Sequence, residues 1–376
     1  MVVRAKNRVA RAFVGVLLGV AMSVEAKGAP VTTNSVEGKP IVLGYYPSWP
    51  TGMNPAAIRY ELFTHLCHAF VEATTEGLVR VSGNLPSREL VDQAHTADVK
   101  VLVSVGGADS GTYLGDVATD ALRRRRFVHE LVNLVENSGY DGVDLDWEFP
   151  RTAAERDALT TLARELRRAL GGGKLLVSAQ SGTPWGARFV DGEALRSVLD
   201  WVAVMTYDAH GPWSAHAGHN APMRRPAGDE VACTSNTVEA QMQRWQEWGG
   251  WPAGRLLVGI PCYGRGFPVP LHARLPKARA RYRWEYVAFR DIGRLLAEDW
   301  KIHWDNEAQV PWLESPDGTQ CFSYDDRESA KRKGEWARRH GYGGIFFWEI
   351  SQDVVGGRNG IVESARAGYL GKPRAD

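Results

Sequence analysis

The sequence predicts a (β/α)8 barrel with a small α+β insertion after the seventh strand. Three observations indicate this fold: eight apolar strand-like runs in succession, amphipathic segments between them, and one gap that is too long for a βα connection. Nearly continuous apolar runs are typical of parallel strands that helices cover, and a repeated alternation of strand and helix closes naturally into a barrel. The runs occupy residues 41–46, 65–70, 100–104, 142–147, 175–179, 202–207, 256–263 and 344–348.

The connecting segments support the same fold. Residues 154–170 and 239–248 repeat their apolar side chains with the period of an amphipathic helix. The long gap follows the seventh run and contains about eighty residues, where a βα connection needs far fewer. It includes a helical stretch at 290–300 and strand-like pieces. We therefore predict an α+β insertion at 268–326 within a single barrel domain that spans 27–376.

Composition limits the class of protein. The chain has 376 residues, of which 44% are hydrophobic and 24% are charged, as in ordinary soluble globular proteins. This length allows one large barrel or two ordinary domains. The 14 Trp outnumber both the 12 Tyr and the 11 Phe. Such a surplus indicates either stacking surfaces for a ligand or a Trp-rich core, and composition alone leaves both open.

The N-terminus resembles a secretory signal. Four basic residues precede an apolar run at 12–24, and Val24-Glu25-Ala26 offers a cleavage site. The run is shorter than the ~20 residues that span a bilayer. We therefore expect residues 1–26 to be removed and the protein to be secreted, to the extracellular space or a periplasm.

Charge argues against several classes of partner. Removing residues 1–26 leaves 41 basic against 43 acidic residues, which changes the net charge from +1 to −2. A nearly neutral protein is not expected to bind nucleic acid or to associate stably with membranes. We expect a monomer. No CxxC or HExxH pattern predicts a metal site, and the polar surroundings of Cys233 and Cys321 leave a disulfide between them open.

An acidic strand is the most informative segment. Asp144, Asp146 and Glu148 alternate along the fourth apolar run and so point to one side, rising toward the C-terminal end of the barrel. Carboxyls this close cannot all ionise at neutral pH, so we expect a shared proton and a raised pKa. Glu148, at the open end, suits a general acid. A calcium or magnesium site is disfavoured because a strand presents ligands in a line.

The surrounding motifs resemble one family. Asp141-x-x-Asp144-x-Asp146-x-Glu148 resembles the catalytic signature of glycoside hydrolase family 18, the chitinase family. Four further pieces occur in that family's order: an SxGG motif, an MxYD motif, a YGR turn and a last strand that ends in Trp. They are Ser104-Val-Gly106-Gly107, Met205-Thr-Tyr207-Asp208, Tyr263-Gly-Arg265 and the run that ends at Trp348.

The resemblance implies retaining hydrolysis of β-1,4-linked N-acetylglucosamine, in which the substrate's own acetamide attacks and no cofactor takes part. Glu148 would be the acid and then the base. Asp146 would hold the acetamide N–H, Asp144 would share a proton with Asp146, and Tyr207 would bind the acetyl oxygen. Structural support is expected from Asp141, Ser104, Gly106 and Gly107.

The resemblance also implies a substrate-binding wall. Trp348 would form the floor, and the other members would be Tyr45, Phe70, Met205, Asp208, Trp213, Tyr263 and Arg265. Phe70, Met205 and Tyr263 could instead be ordinary core residues. Many family members carry Trp directly after the two glycines, whereas this chain has Ala108, which puts binding on the leaving-group side in doubt.

Two other functions stay open. The N-glycan core and the glycan strands of peptidoglycan also present the N-acetyl group that this chemistry needs. A non-catalytic chitin lectin on the same scaffold is the alternative from another class. Relatives of that kind typically lose the acid, and Glu148 is present here.

Overall fold

The computed structural model describes residues 39–108, 110–226, 229, 236–277 and 282–371. All of these residues belong to one compact unit. The predicted signal sequence at 1–26 and Cys233 lie outside the described residues. Within them, Cys321 is buried, and no helix is long and apolar enough to cross a membrane.

Eight parallel strands form a closed barrel, which confirms the predicted fold class. Each strand pairs with the next along the chain, and the first also pairs with the last. The strands are β1 (Ile41–Pro47), β2 (His65–Ala73), β3 (Lys100–Gly107), β4 (Gly142–Trp147), β5 (Leu175–Ser181), β6 (Val202–Met205), β7 (Leu256–Pro261) and β8 (Gly344–Trp348).

Nine α-helices are present among the described residues. Side chains of Ser, Thr or Asp cap the N-termini of most of the longer ones, as expected for residues that accept from free backbone N–H groups. The helices are α1 (Arg88–Thr96), α2 (Leu114–Thr119), α3 (Ala121–Ser138), α4 (Ala153–Leu170), α5 (Gly192–Arg196), α6 (Val238–Gly249), α7 (Gly293–Leu296), α8 (Arg327–Arg339) and α9 (Gly360–Leu370).

Alternation along the strands divides the core into two layers. Side chains such as Val143, Leu145 and Trp147 pack between the barrel and its helices. Side chains of the other parity, such as Leu43, Val177 and those of the acidic strand, fill the barrel interior. The three acidic side chains of β4 therefore point into the barrel because they alternate with apolar residues that face the helices.

Two strands are shorter than the predicted runs. β6 ends at Met205, and the side chain of the next residue, Thr206, donates to the Gly259 carbonyl, 2.7 Å away. β7 ends at Pro261, and Tyr263 begins a separate strand.

The segment between β7 and β8 forms a five-stranded antiparallel sheet with α7. The sheet begins before the predicted start of the insertion at residue 268. The predicted helix at 290–300 is wrong in length, because a 3-10 turn at Phe289–Asp291 precedes α7 and the chain turns at Asp299 with φ +60°. The strands, in sheet order, are Val287–Ala288, Tyr263–Phe267, Cys321–Ser323, Val310–Glu314 and Lys301–Asp305. Short strands outside this sheet are Val79–Arg80, Val354–Val355 and Arg358–Asn359.

A buried ion pair joins α8 to the insertion. The ammonium group of Lys333 donates to both carboxylate oxygens of Asp325, at 2.7 and 2.6 Å, and neither side chain is exposed. Burial lowers the pKa of Lys333, while the carboxylate opposes that shift.

We expect Lys333→Met to lower the free energy of unfolding by about 3–5 kcal/mol, because it leaves the Asp325 carboxylate buried without a counter-charge. Lys331→Met, two residues earlier on the exposed face of α8, should change it by no more than about 0.5 kcal/mol. Denaturant unfolding of both variants measures the difference. Equal stability of the two variants would contradict the importance of this pair.

Candidate active site

The three carboxylates of β4 form a file from the barrel interior to the surface. Asp144 is fully buried, Asp146 is nearly so, and Glu148 is half-buried at the C-terminal end. This gradient follows from the strand, because each step of two residues moves about 6.6 Å toward the open end.

Asp144 accepts hydrogen bonds from two other strands of the barrel, of which only β3 is adjacent to β4. Tyr45 on β1 and Ser104 on β3 each donate a hydroxyl hydrogen bond to its Oδ2, at 2.8 and 2.6 Å. Ser104 lies directly opposite Asp144 in the register between β3 and β4. Burial raises the pKa of Asp144, and these hydrogen bonds partly oppose that shift.

The pKa of Asp146 is raised further than that of Asp144. Burial, followed by the nearby charges of Glu148 and Asp144, raises its pKa well above the ordinary value. Burial, followed by the charges of Asp146 and Glu148, also raises the pKa of Tyr207, so this phenol stays protonated. The Oδ1 atoms of Asp144 and Asp146 have no hydrogen-bond partner among the described residues.

Two glycines on β3 permit the close packing of this site. A Cβ on Gly106 would lie 1.9 Å from the backbone oxygen of Asp146, and its φ of +124° also excludes ordinary residues. A Cβ on Gly107 would lie 2.6 Å from the Phe70 ring. Both positions of the predicted SxGG motif therefore require glycine for steric reasons.

The loop after β3 supports the end of β4. The Ser110 hydroxyl accepts from the Glu148 N–H at 2.8 Å and donates to the Asp146 carbonyl at 3.2 Å. The Gly111 N–H donates to the Glu148 carbonyl. Sequence reasoning did not identify Ser110, because a serine in a loop gives no signal until the backbone that it contacts is known.

A cleft of about 1210 Å³ opens above the carboxylates. Most of the predicted site residues line it. Three do not: Asp144 and Ser104 lie beneath it, and Asp141 lies at the start of β4, where it accepts from His95 Nε2 and from the Val101 N–H. The predicted residues that line the cleft are Tyr45, Phe70, Gly106, Gly107, Asp146, Glu148, Met205, Tyr207, Asp208, Trp213, Tyr263, Arg265 and Trp348.

Aromatic rings form the floor and one wall of the cleft. Trp348 stacks on Phe70, with ring centroids 5.4 Å apart, and Tyr45 meets Trp348 edge to face. Trp49 stacks on Phe70, lies 6.2 Å from the Trp348 ring centroid and is 42% exposed. The cluster presents flat apolar faces of the kind that bind the faces of sugar rings.

A charged clamp closes the opposite side. Arg265 binds Asp208 through two hydrogen bonds, at 2.9 and 2.8 Å, and Tyr263 donates to the same carboxylate at 2.8 Å. The Arg265 guanidinium also lies over the ring of Trp213, which is 58% exposed. Asp208 adopts φ +56°, and the clamp holds this residue in place.

Several cleft residues were not predicted. Tyr286, from the insertion, stacks on Tyr263 with centroids 4.6 Å apart. Asn236 also lines the cleft, and only the fold places either residue there. Trp49 and Trp185 carry a usable signal, since each follows a strand at the open end of the barrel. Ala108 lies in the lining, at the position where Trp was expected from the resemblance.

The family model for glycosyl hydrolases family 18 matches residues 41–353. The chain belongs to this family. The match includes the whole barrel from β1 to β8 and therefore covers both the acidic strand and the insertion.

The relatives of this family 18 chain include an endochitinase and a chitotriosidase. A probable endochitinase of Caenorhabditis elegans is 30% identical over 276 residues, which cover 68% of this chain and 44% of that protein. Chitotriosidase-1 of Mus musculus is 29% identical over 80% of this chain and 69% of that protein. The chain thus spans less than half of the nematode relative, and it is a chitinase-like family member.

Solved structures agree in fold. Catalytic domain 2 of the Group II chitinase of Ostrinia furnacalis has a TM-score of 0.80 at 27% identity, covering 90% of this chain and 98% of that domain. That domain has also been solved in complex with penta-N-acetylchitooctaose.

The raised pKa of Asp146 predicts how this family 18 barrel responds to pH. Between the ordinary value of 3.8 and the raised pKa, the folded chain holds a proton that the unfolded chain has lost. Stability therefore falls as pH rises through this range. Asp146→Asn removes the penalty, so the variant should be more stable than wild type at neutral pH, and the difference should disappear below the ordinary value.

Unfolding measured across this pH range tests the prediction. Asp157→Asn, an exposed change on α4, should follow the wild type throughout. An Asp146→Asn variant that is no more stable than wild type at neutral pH would show that burial does not penalise this carboxylate.

Proposed function

We propose that the chain hydrolyses β-1,4-linked N-acetylglucosamine polymers, chitin or chito-oligosaccharides, with retention of configuration and through a substrate-assisted oxazolinium intermediate. The observation that carries the proposal is the file of three carboxylates that rises from the barrel interior to an aromatic-floored cleft. The family membership and the chitinase names of the relatives support it.

In the first step, Glu148 donates its proton to the glycosidic oxygen. The carbonyl oxygen of the substrate's acetamide attacks C1, the C1–oxygen bond breaks, and an oxazolinium ring forms. Glu148 suits this role because it is the member of the file that reaches the cleft. In the second step, its carboxylate takes a proton from water as that water attacks C1, which restores both the acetamide and the acid.

Asp146 accepts the acetamide N–H and stabilises the positive ring. Its Oδ1 has no partner among the described residues and can take this hydrogen bond. Burial raises the pKa of both Asp144 and Asp146, so the pair holds a proton between them. As positive charge forms on the substrate, that proton moves toward Asp144 and leaves Asp146 ionised.

Tyr207 donates to the acetyl oxygen and so orients it toward C1. The raised pKa keeps this phenol protonated at neutral pH, and hydroxyl donation requires that form. Trp348 lies beneath the sugar at the cleavage point, and Met205 and the Asp208–Arg265–Tyr263 clamp close the pocket beside it.

The Glu148→Gln variant tests whether the protein is an enzyme or a non-catalytic lectin. The variant should bind chito-oligosaccharides but lose at least ~10²-fold in turnover, because the amide cannot supply the proton. Glu136→Gln, an exposed change on the outer helix α3, is the matched control and should turn over like wild type. Retained turnover in Glu148→Gln would overturn the proposed acid, and binding by wild type without any turnover would favour the lectin.

A substrate panel separates the remaining alternatives. We expect wild type to release sugar from chitotetraose and colloidal chitin, with N-glycopeptide and peptidoglycan as competing substrates that carry the same N-acetyl group. Product analysis by mass spectrometry measures each. Release from peptidoglycan alone would overturn the polymer but would leave the mechanism intact.

Residues 1–26 are proposed to direct export. The basic segment, the short apolar run and the site at Val24-Glu25-Ala26 support this. The N-terminal sequence of protein recovered outside its producing cells should begin near residue 27. Protein that stays in the cytoplasm with residues 1–26 attached would contradict export.

A further inference from the structure

The loop between β6 and α6 contains a buried group of metal-binding side chains. It follows Asp208 and includes Trp213, and it therefore forms one wall of the cleft. His210, His216 and Asp229 converge within this loop, and each is at least nine-tenths buried. None of them lines the cleft. We refer to these three residues as the histidine–aspartate cluster.

The separation of the donor atoms fits a metal ion. The Nε2 atoms of His210 and His216 are 3.2 Å apart, and His216 Nε2 is 2.9 Å from Asp229 Oδ1. His210 Nε2 is 3.8 Å from the other oxygen of Asp229. Donors placed about 2.0–2.1 Å from a tetrahedral zinc ion lie about 3.3 Å from one another, so the separations of 3.2 and 2.9 Å are close to those that a shared ion needs.

The ring of His210 is oriented as a ligand. Its Nδ1 lies 2.9 Å from the backbone carbonyl of His219 and must be the donor, because a carbonyl only accepts. With that proton on Nδ1, the lone pair of a neutral ring is on Nε2, the atom that faces the cluster. A backbone carbonyl on the second nitrogen is the usual partner of metal-binding histidines.

Hydrogen bonds alone satisfy the cluster poorly. Nε2 of His216 carries at most one proton, yet it faces both His210 Nε2 and the Asp229 carboxylate. Nδ1 of His216 is buried and has no partner among the described residues. A divalent ion would accept lone pairs from all three side chains and would displace that single shared proton.

A second group nearby differs in this respect. In the group of His219, His272 and Asp305, both nitrogens of His219 are engaged, with Ser323 Oγ at 3.0 Å and Asp305 Oδ2 at 3.1 Å. The other oxygen of Asp305 accepts from two backbone N–H groups. His219 and Asp305 have their hydrogen bonds satisfied, whereas Nδ1 of His272 has no partner among the described residues. The group is partly exposed, and it serves as an internal control.

We propose that His210, His216 and Asp229 bind a divalent transition-metal ion, zinc by preference, which cross-links the loop that carries Asp208 and Trp213. Two imidazoles and a carboxylate suit zinc rather than calcium or magnesium. In zinc sites with three protein ligands, water completes the coordination. The metal lies apart from the carboxylate file and has no part in the proposed hydrolysis.

The test uses the tag-free chain, freed of metal with a chelator. Equilibrium dialysis against zinc, followed by elemental analysis, should give one zinc per chain, and cobalt should give the visible absorption of a four-coordinate ion. Zinc should also raise the midpoint of thermal unfolding, since an ion that binds only the folded chain stabilises it.

Variants locate the site. His216→Phe and Asp229→Asn should each weaken zinc binding by more than the ~10–100-fold that changes outside the ligand shell produce. His272→Gln, in the control group, should bind zinc like wild type. The proposal is overturned if wild type binds no zinc and gains no stability from it, if calcium binds in preference to zinc, or if only His272→Gln loses the ion.

Discussion

Burial of two carboxyl groups inside the barrel is the constraint on which the rest of the site depends. A barrel interior is a packed core, and carboxyls there must be hydrogen-bonded or neutralised. Tyr45 and Ser104 provide the hydrogen bonds for Asp144 from two different strands. These contacts require β1, β3 and β4 to keep their register, because a slip of one residue would move the carboxyls to the helix side.

The same constraint explains why two residues at the end of β3 are glycines. Gly106 leaves room for the backbone of Asp146, and Gly107 leaves room for the Phe70 ring. Ser110 then joins the next loop to the end of β4, so the direction of Glu148 is set by backbone contacts on both sides of the residue. Rigid support of this kind is what positions a reactive group within the small tolerance that catalysis allows.

The aromatic surplus divides between core and cleft. Trp147, Trp201 and Trp251 are fully buried and act as packing, whereas Trp49, Trp185 and Trp213 are exposed at the cleft. The two possibilities that composition left open are therefore both realised, on different parts of the strands. Rings just beyond the C-terminal strand ends face the cleft, whereas Trp147, of outward parity within β4, faces the helices.

The sequence by itself determined the barrel and the acidic file, because periodicity and strand alternation are local properties that residue order expresses directly. Most of the cleft residues came from the family resemblance that the motifs carry. The same alternation directs Trp147 away from the barrel interior, where it packs against the helices. Only the tertiary structure decided which distant residues meet: Ser110 beneath Glu148, Tyr286 on Tyr263, and His210 with His216 and Asp229. The physical reason is that loop and insertion contacts depend on how the chain returns through space, and the order of residues in a loop carries no period from which that path can be read.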